Sequence, residues 1–142
     1  MTPGSSSGAE TILVVDDQEE IRKVVGRMLR ARGFHVLLAA NGHEALRLGS
    51  EVEALRRVDD QAREIDLLVT DVAMPGMSGL EVALLLAPAH PKMKVLYLSG
   101  YTDEVIVDQS GLAAGINFLQ KPFTADGLVG KVREVLDAPR DA

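Results

Sequence analysis

Short apolar runs alternate along this chain with longer stretches in which apolar residues recur every three or four positions. Residues 12–15 (Ile, Leu, Val, Val) and 67–69 (Leu, Leu, Val) are aliphatic runs, the first stopped by acids and the second by Asp71 and then Pro75 and Gly76. Runs of this length and composition predict strands buried on both faces. After the first run, Ile21, Val24, Val25, Met28 and Leu29 form an i, i+3, i+4, i+7, i+8 stripe, predicting an amphipathic helix closed by Gly33. Residues 34–39 predict a second strand. Residues 42–63 carry helical spacing at Leu48, Val52 and Leu55 opposite a charged face. They predict a second helix with an extension or a break near Gly49 and Ser50.

The strand that ends in Asp71 follows, then a helix over 79–87 stopped before Pro88 and Pro91. Residues 94–98 predict a fourth strand. Thr102 or Asp103 can cap a helix running to about Ala114, with Gly115 after it. Residues 116–120 predict a fifth strand, and Thr124 caps a last helix with Leu128, Val129, Val132, Val135 and Leu136 on one face. Strand and helix thus alternate five times. That order calls for right-handed crossovers and an α/β architecture, a parallel sheet with helices on both faces.

Composition narrows the picture. The chain has 142 residues, the size of one domain. It is 46% hydrophobic but 4% aromatic with no Trp, so the core is aliphatic. A net charge of −6 and the lack of clustered Lys and Arg argue against a nucleic-acid surface. Without cysteine there is no disulfide, thiolate nucleophile or Cys-ligated metal. No run of about 18 apolar residues is present, so no membrane contact is expected, and the cytoplasm is the expected compartment. Residues 1–10, with Gly4 to Gly8 rich in Ser, have the composition of a flexible linker, residues 11–137 form the expected domain, and 138–142 read as a disordered tail.

The chemistry-bearing residues fall at strand ends. The first strand delivers Asp16 and Asp17, the third Asp71, the fourth Ser99 and the fifth Lys121. Singly, each is an ordinary turn or helix-start residue. In an open parallel sheet, however, the carboxyl ends of the strands share one crevice. Carboxylates crowded there repel by roughly 4 kcal/mol per pair at ~4 Å and an effective dielectric of ~20, and so call for a cation. An all-oxygen donor set suits a hard divalent ion, Mg²⁺ with Mn²⁺ as a substitute. An Asp in such a site can be the nucleophile that forms an aspartyl-phosphate, with metal, ammonium and hydroxyl steadying the transferring phosphoryl group.

The motifs VVDD at 14–17, ANGHEAL at 40–46, TDVAMPGMSG at 70–79, LSGY at 98–101 and FLQKPF at 118–123 together resemble the receiver domain of two-component response regulators. The resemblance covers nearly all of 11–137 and implies a (βα)₅ flavodoxin-like, doubly wound sheet with strand order 2-1-3-4-5. It implies Asp71 as phosphoacceptor from a phosphohistidine on a histidine kinase or histidine phosphotransfer protein. Asp17, Asp71 and the backbone carbonyl of Ala73 are the implied Mg²⁺ ligands, with Asp16 supporting through water. It implies that Lys121 pairs with phosphoryl oxygens, that Ser99 bonds one of them and draws its loop inward, and that Phe118 turns in as the aromatic switch. The implied readout is a changed surface on the fourth helix, fifth strand and last helix, met by a downstream protein that the sequence does not name. A cis Lys121–Pro122 peptide is also implied, as is a role for Ala73 and Tyr101 beside the path of attacking water, where a bulky Tyr would lengthen the phosphoryl lifetime.

Two features depart from the family pattern. Phe118 lacks the hydroxyl of the Tyr found in many relatives, and the segment from Asn41 to Asp71 is longer by two or three helical turns. A haloacid-dehalogenase-type phosphatase would want a second acid two residues after the nucleophile, where this chain has Ala73. A dinucleotide-binding module would want a glycine-rich turn after the first strand, which is missing. A receiver-like binding module that is never phosphorylated is the further alternative. The reading is therefore of a switch rather than an enzyme in the ordinary sense, one that catalyses its own phosphorylation and slow dephosphorylation. It is expected to be monomeric, either stand-alone or the terminal receiver of a hybrid histidine kinase. His35, His43 and His90 have no partner in view.

Overall fold

A computed structural model describes residues 10–59, 63–99 and 117–138. The expected helix over 102–114, Tyr101, most of the linker and most of the tail lie outside these residues. Five parallel strands, β1 (Thr11–Val15), β2 (His35–Ala39), β3 (Leu67–Asp71), β4 (Lys94–Ser99) and β5 (Asn117–Gln120), pair in the order 2-1-3-4-5. The helices among the described residues are α1 (Glu19–Arg30), α2 (Gly42–Val58), α3 (Gly79–Leu86) and α4 (Ala125–Asp137).

Strand alternation divides the core in two. Ile12, Val14, Leu67, Val69, Leu96 and Leu98 face α1 and α4, where Val25, Leu29, Leu128 and Val132 meet them. Leu13, Val15, Leu68 and Tyr97 face α2 and α3, where Ala45, Val82 and Leu86 meet them. Both faces of the sheet are therefore covered, as the unbroken apolar runs require. Asn41, Ser78 and Thr124 cap α2, α3 and α4 with side-chain oxygens that accept from backbone N–H groups, and Ser78 forms a full capping box with Glu81.

Two expectations about helices are corrected. α2 runs unbroken through Gly49 and stops at Val58 rather than Arg63. Gly49 is a packing glycine: a Cβ there would lie 2.5 Å from Leu86 Cδ2, and its carbonyl meets Nε2 of His90 at 3.1 Å. His90, which offered no partner in the sequence, is thus buried and ties the end of α3 to α2. The second concerns Val24, which belongs to the apolar stripe of α1 but is 40% exposed. Val25 and Leu29 fill the sheet contact, leaving Val24 beside a surface groove.

Glu10 is joined to the domain. Its carbonyl accepts from His35 N, and its carboxylate meets Arg133, which also pairs with Asp137 and lies 5.8 Å over the Phe34 ring.

Candidate functional site

The sheet order places β1 between β2 and β3, so connections leave β1 and β3 toward opposite faces and a crevice opens at their carboxyl ends. The register pairs Val15 with Thr70, which sets Asp16 beside Asp71 one residue further on. Asp71 is the last residue of β3 and 6% exposed; Asp16 is fully buried, while Asp17 is exposed. Carboxylate oxygens of Asp16, Asp17 and Asp71 lie within 4.8 Å of one another.

Lys121 follows β5 and reaches back over the sheet edge. Its Nζ lies 3.3 Å from Asp71 Oδ2 and 3.6 Å from Asp16 Oδ2. Its backbone N donates to the Ser99 carbonyl at 2.8 Å, and the Lys121–Pro122 peptide is cis. Ser99, buried at the end of β4, is thereby joined to the lysine through the backbone. Phe118, on β5, pairs with Tyr97 across the strands, ring centroids 6.1 Å apart at 41°. Ala73 is exposed in the turn after β3. The structure thus assembles Asp16, Asp17, Asp71 and Lys121 and sets Ser99 beside them, and it places Phe118 on the neighbouring strand. Tyr101 lies outside the described residues.

Three carboxylates and one ammonium leave a formal charge of −2 in this pocket. Burial pushes the Asp16 carboxyl above its ordinary value, against the lowering effects of the Gln18 N–H, at 2.9 Å from Oδ1, and of Lys121. Asp16 Oδ2 is buried yet accepts no hydrogen bond among the described residues. A buried, under-satisfied carboxylate oxygen in an all-oxygen, net-negative pocket fits a hard divalent cation.

The surroundings hold this geometry. Arg22 donates to the Asp16 carbonyl at 2.7 Å, and Val72 N donates to Leu98 O at 3.1 Å, stitching the acceptor turn to β4. Lys121, Pro122 and Phe123 also line one side of an apolar groove of about 290 Å³ whose other side is Ile21, Val24, Val25 and Met28 of α1. In the sequence those α1 residues form one apolar stripe. An i, i+3, i+4, i+7, i+8 stripe is wider than the sheet contact needs, and that excess was the available signal.

Comparison with known proteins follows the same line. A family model of the response regulator receiver domain matches residues 12–133. The chain is 34% identical over 131 residues to the sensor kinase CckA of Brucella abortus, covering 92% of this chain and 13% of the kinase. It is 28% identical over 127 residues to the response regulator receiver protein CpdR of the same organism, covering 89% of this chain and 97% of that protein. The crystal structure of the receiver domain from the hybrid histidine kinase CckA superposes with a TM-score of 0.67 at 32% identity, covering 89% of this chain and 99% of that one. No helix among the described residues is long and apolar enough to cross a membrane. The chain belongs to the response regulator receiver domain family, phosphorelay signalling switches whose acidic pocket binds Mg²⁺.

Proposed function

We propose that Asp71 is the phosphoacceptor of this switch, taking a phosphoryl group from a phosphohistidine on a histidine kinase or histidine phosphotransfer protein. The observation that carries this is the buried Asp71 carboxylate, fixed at the end of β3 with Lys121 Nζ at 3.3 Å and the Asp16 and Asp17 carboxylates within 4.8 Å. An Asp71 oxygen attacks phosphorus; the P–N bond breaks and its electron pair stays on the departing imidazole. Lys121 neutralises charge on the phosphoryl oxygens and holds the acceptor oriented. Asp17, Asp71 and the Ala73 carbonyl would hold Mg²⁺, with Asp16 behind them. Bound there, the ion supplies positive charge to the transferring group.

The groove between α1 and Phe123 shares Lys121 with the acceptor site. An apolar helix face of the donor protein, seated there, brings its histidine to the pocket mouth. After transfer, the Ser99 hydroxyl bonds a phosphoryl oxygen and Phe118 turns inward, changing the surface around β5 and α4 that a downstream protein reads. Ala73, exposed in the turn after β3, stands beside the path of attacking water and sets the lifetime of the phosphorylated form.

Intact-mass measurement after incubation with acetyl phosphate tests the assignment. A Mg²⁺-dependent gain of one phosphoryl group, labile at alkaline pH and absent in Asp71→Asn, is the expected result. An adduct that persists in Asp71→Asn would move the acceptor elsewhere. No adduct with acetyl phosphate or with phosphorylated histidine kinase would make the chain an unphosphorylated binding module.

A further inference from the structure

The order 2-1-3-4-5 leaves β2 at one edge of the sheet. The register settles its inner side: His35 N donates to Glu10 O and Ala39 O accepts from Asp16 N, so the backbone groups of His35, Leu37 and Ala39 point at β1. Those of Val36, Leu38 and Ala40 point outward. Arg30 donates to the Val36 carbonyl at 3.1 Å, and Glu44 Oε1 accepts from Ala40 N at 2.6 Å. Between these two caps the Leu38 N–H and C=O meet no partner among the described residues. Side chains that cover a strand edge guard it against stray pairing; here they close its ends and leave the middle open. The phosphoryl chemistry uses none of these residues.

A groove of about 500 Å³ lies against Leu38, its other lining residues being Lys23, Arg27, Arg30 and Ala31 at the end of α1. Lys23, Arg27 and Arg30 stand at i, i+4 and i+7, so the helical repeat gathers cations that are spaced apart in the sequence. Lys23 pairs with Glu19 at 3.0 Å in an exposed bridge that contributes little, and Arg27 forms no ion pair among the described residues. On a chain of net charge −6, this patch is where an anionic partner is drawn. An open backbone donor and acceptor on a strand edge select a polypeptide in extended form, and the cations select acidic side chains on it. We propose that the outer edge of β2 docks an extended acidic segment of a partner protein, which pairs with Leu38 and sets alternate carboxylates against Arg27 and Lys23.

The test is an NMR titration of the full ¹⁵N-labelled chain with acetyl-Glu-Val-Glu-Val-Glu-amide, with acetyl-Lys-Val-Lys-Val-Lys-amide, and with the acidic peptide N-methylated at every residue. Valine favours the extended form in each probe. The expected result is saturable shifts from the acidic peptide clustered at Arg27, Ala31, Val36 and Leu38, with the Leu38 N–H moving downfield, and no saturable shift from the other two. Arg27→Glu, at an exposed position, replaces an exposed ion pair by a like-charge contact and weakens the acidic peptide about tenfold. Equal binding of the Lys peptide, or unchanged binding to Arg27→Glu, overturns the charge selection. Equal binding of the N-methylated peptide makes the patch a general anion surface and overturns strand addition. Leu38 shifts that grow with protein concentration alone give the edge to a second copy of this chain and overturn the peptide as occupant. Shifts without saturation, or away from β2 and α1, overturn the site.

Discussion

A Cβ added to Gly79 would stand 2.1 Å from the backbone oxygen of Asp71 and 3.0 Å from Thr70 Cγ2. The first residue of α3 is therefore packed directly on the strand end that carries the acceptor, and Gly79 N donates back to Val72 O at 2.9 Å. Backbone, unlike the tip of a side chain, has little room to yield. Gly79→Ala is expected to destabilise the domain by about 3 kcal/mol, the upper end of overpacking costs, and to slow phosphorylation by acetyl phosphate. Urea denaturation and intact-mass kinetics on one preparation check both. A variant with wild-type stability would show that α3 can retreat without loss.

Among the described residues, Lys121 pairs with both Asp71 and the fully buried Asp16. Replacing it with Met leaves the buried carboxylate without its counter-charge, at an expected cost of about 3 kcal/mol without Mg²⁺. The same change removes a charge that opposes cation entry. Mg²⁺ is thus expected to raise the Tm of Lys121→Met more than that of wild type, and to bind about tenfold tighter, while phosphoryl transfer falls. Thermal unfolding across a Mg²⁺ series reads the first two. Equal Tm gains in the two proteins would place the ion away from Lys121.

Much of this arrangement was legible in the residues. Buried strands read as unbroken aliphatic runs, and their ends are marked by Asp16, Asp71, Ser99 and Lys121, so strand number and site residues could be read together, while the strand order came from the family resemblance. What the sequence hid depends on tertiary neighbours. Gly49 reads as a helix break, because only the Leu86 and His90 side chains pressed on it show why glycine is there. Val24 reads like its stripe neighbours Val25 and Leu29, because the width of the α1 contact is set by the sheet and not by the helix.

His90 makes a prediction from the same contact. Its Nε2 meets the Gly49 carbonyl at 3.1 Å across 41 residues of sequence, in a buried setting that includes Leu86. His90→Ala opens a cavity between α2 and α3 and is expected to cost about 2–3 kcal/mol, within the range for large-to-small core changes. Hydrogen exchange should rise in α2 around Gly49 before it rises in β1 and β3. Uniform acceleration across the sheet would show that His90 supports the whole domain rather than this helix pair.

Asp66 gives a pH prediction away from the acceptor site. Burial is the main cause holding its carboxyl above the ordinary value of 3.8, and Glu64 and Glu10 add to this, while the Thr11 N–H and Arg63 work against it. With the folded pKa above the unfolded one, the folded chain keeps a proton that the unfolded chain has already released. Asp66 therefore contributes stability that is full below pH 3.8 and lost as pH rises through the raised folded value. Asp66→Asn keeps an oxygen that can accept from Thr11 N and removes the titration. Its Tm relative to wild type is expected to be higher at neutral pH than at acid pH, read from thermal unfolding of both proteins over that range. A difference that stays constant with pH would mean that water reaches the carboxylate and cancels the effect of burial.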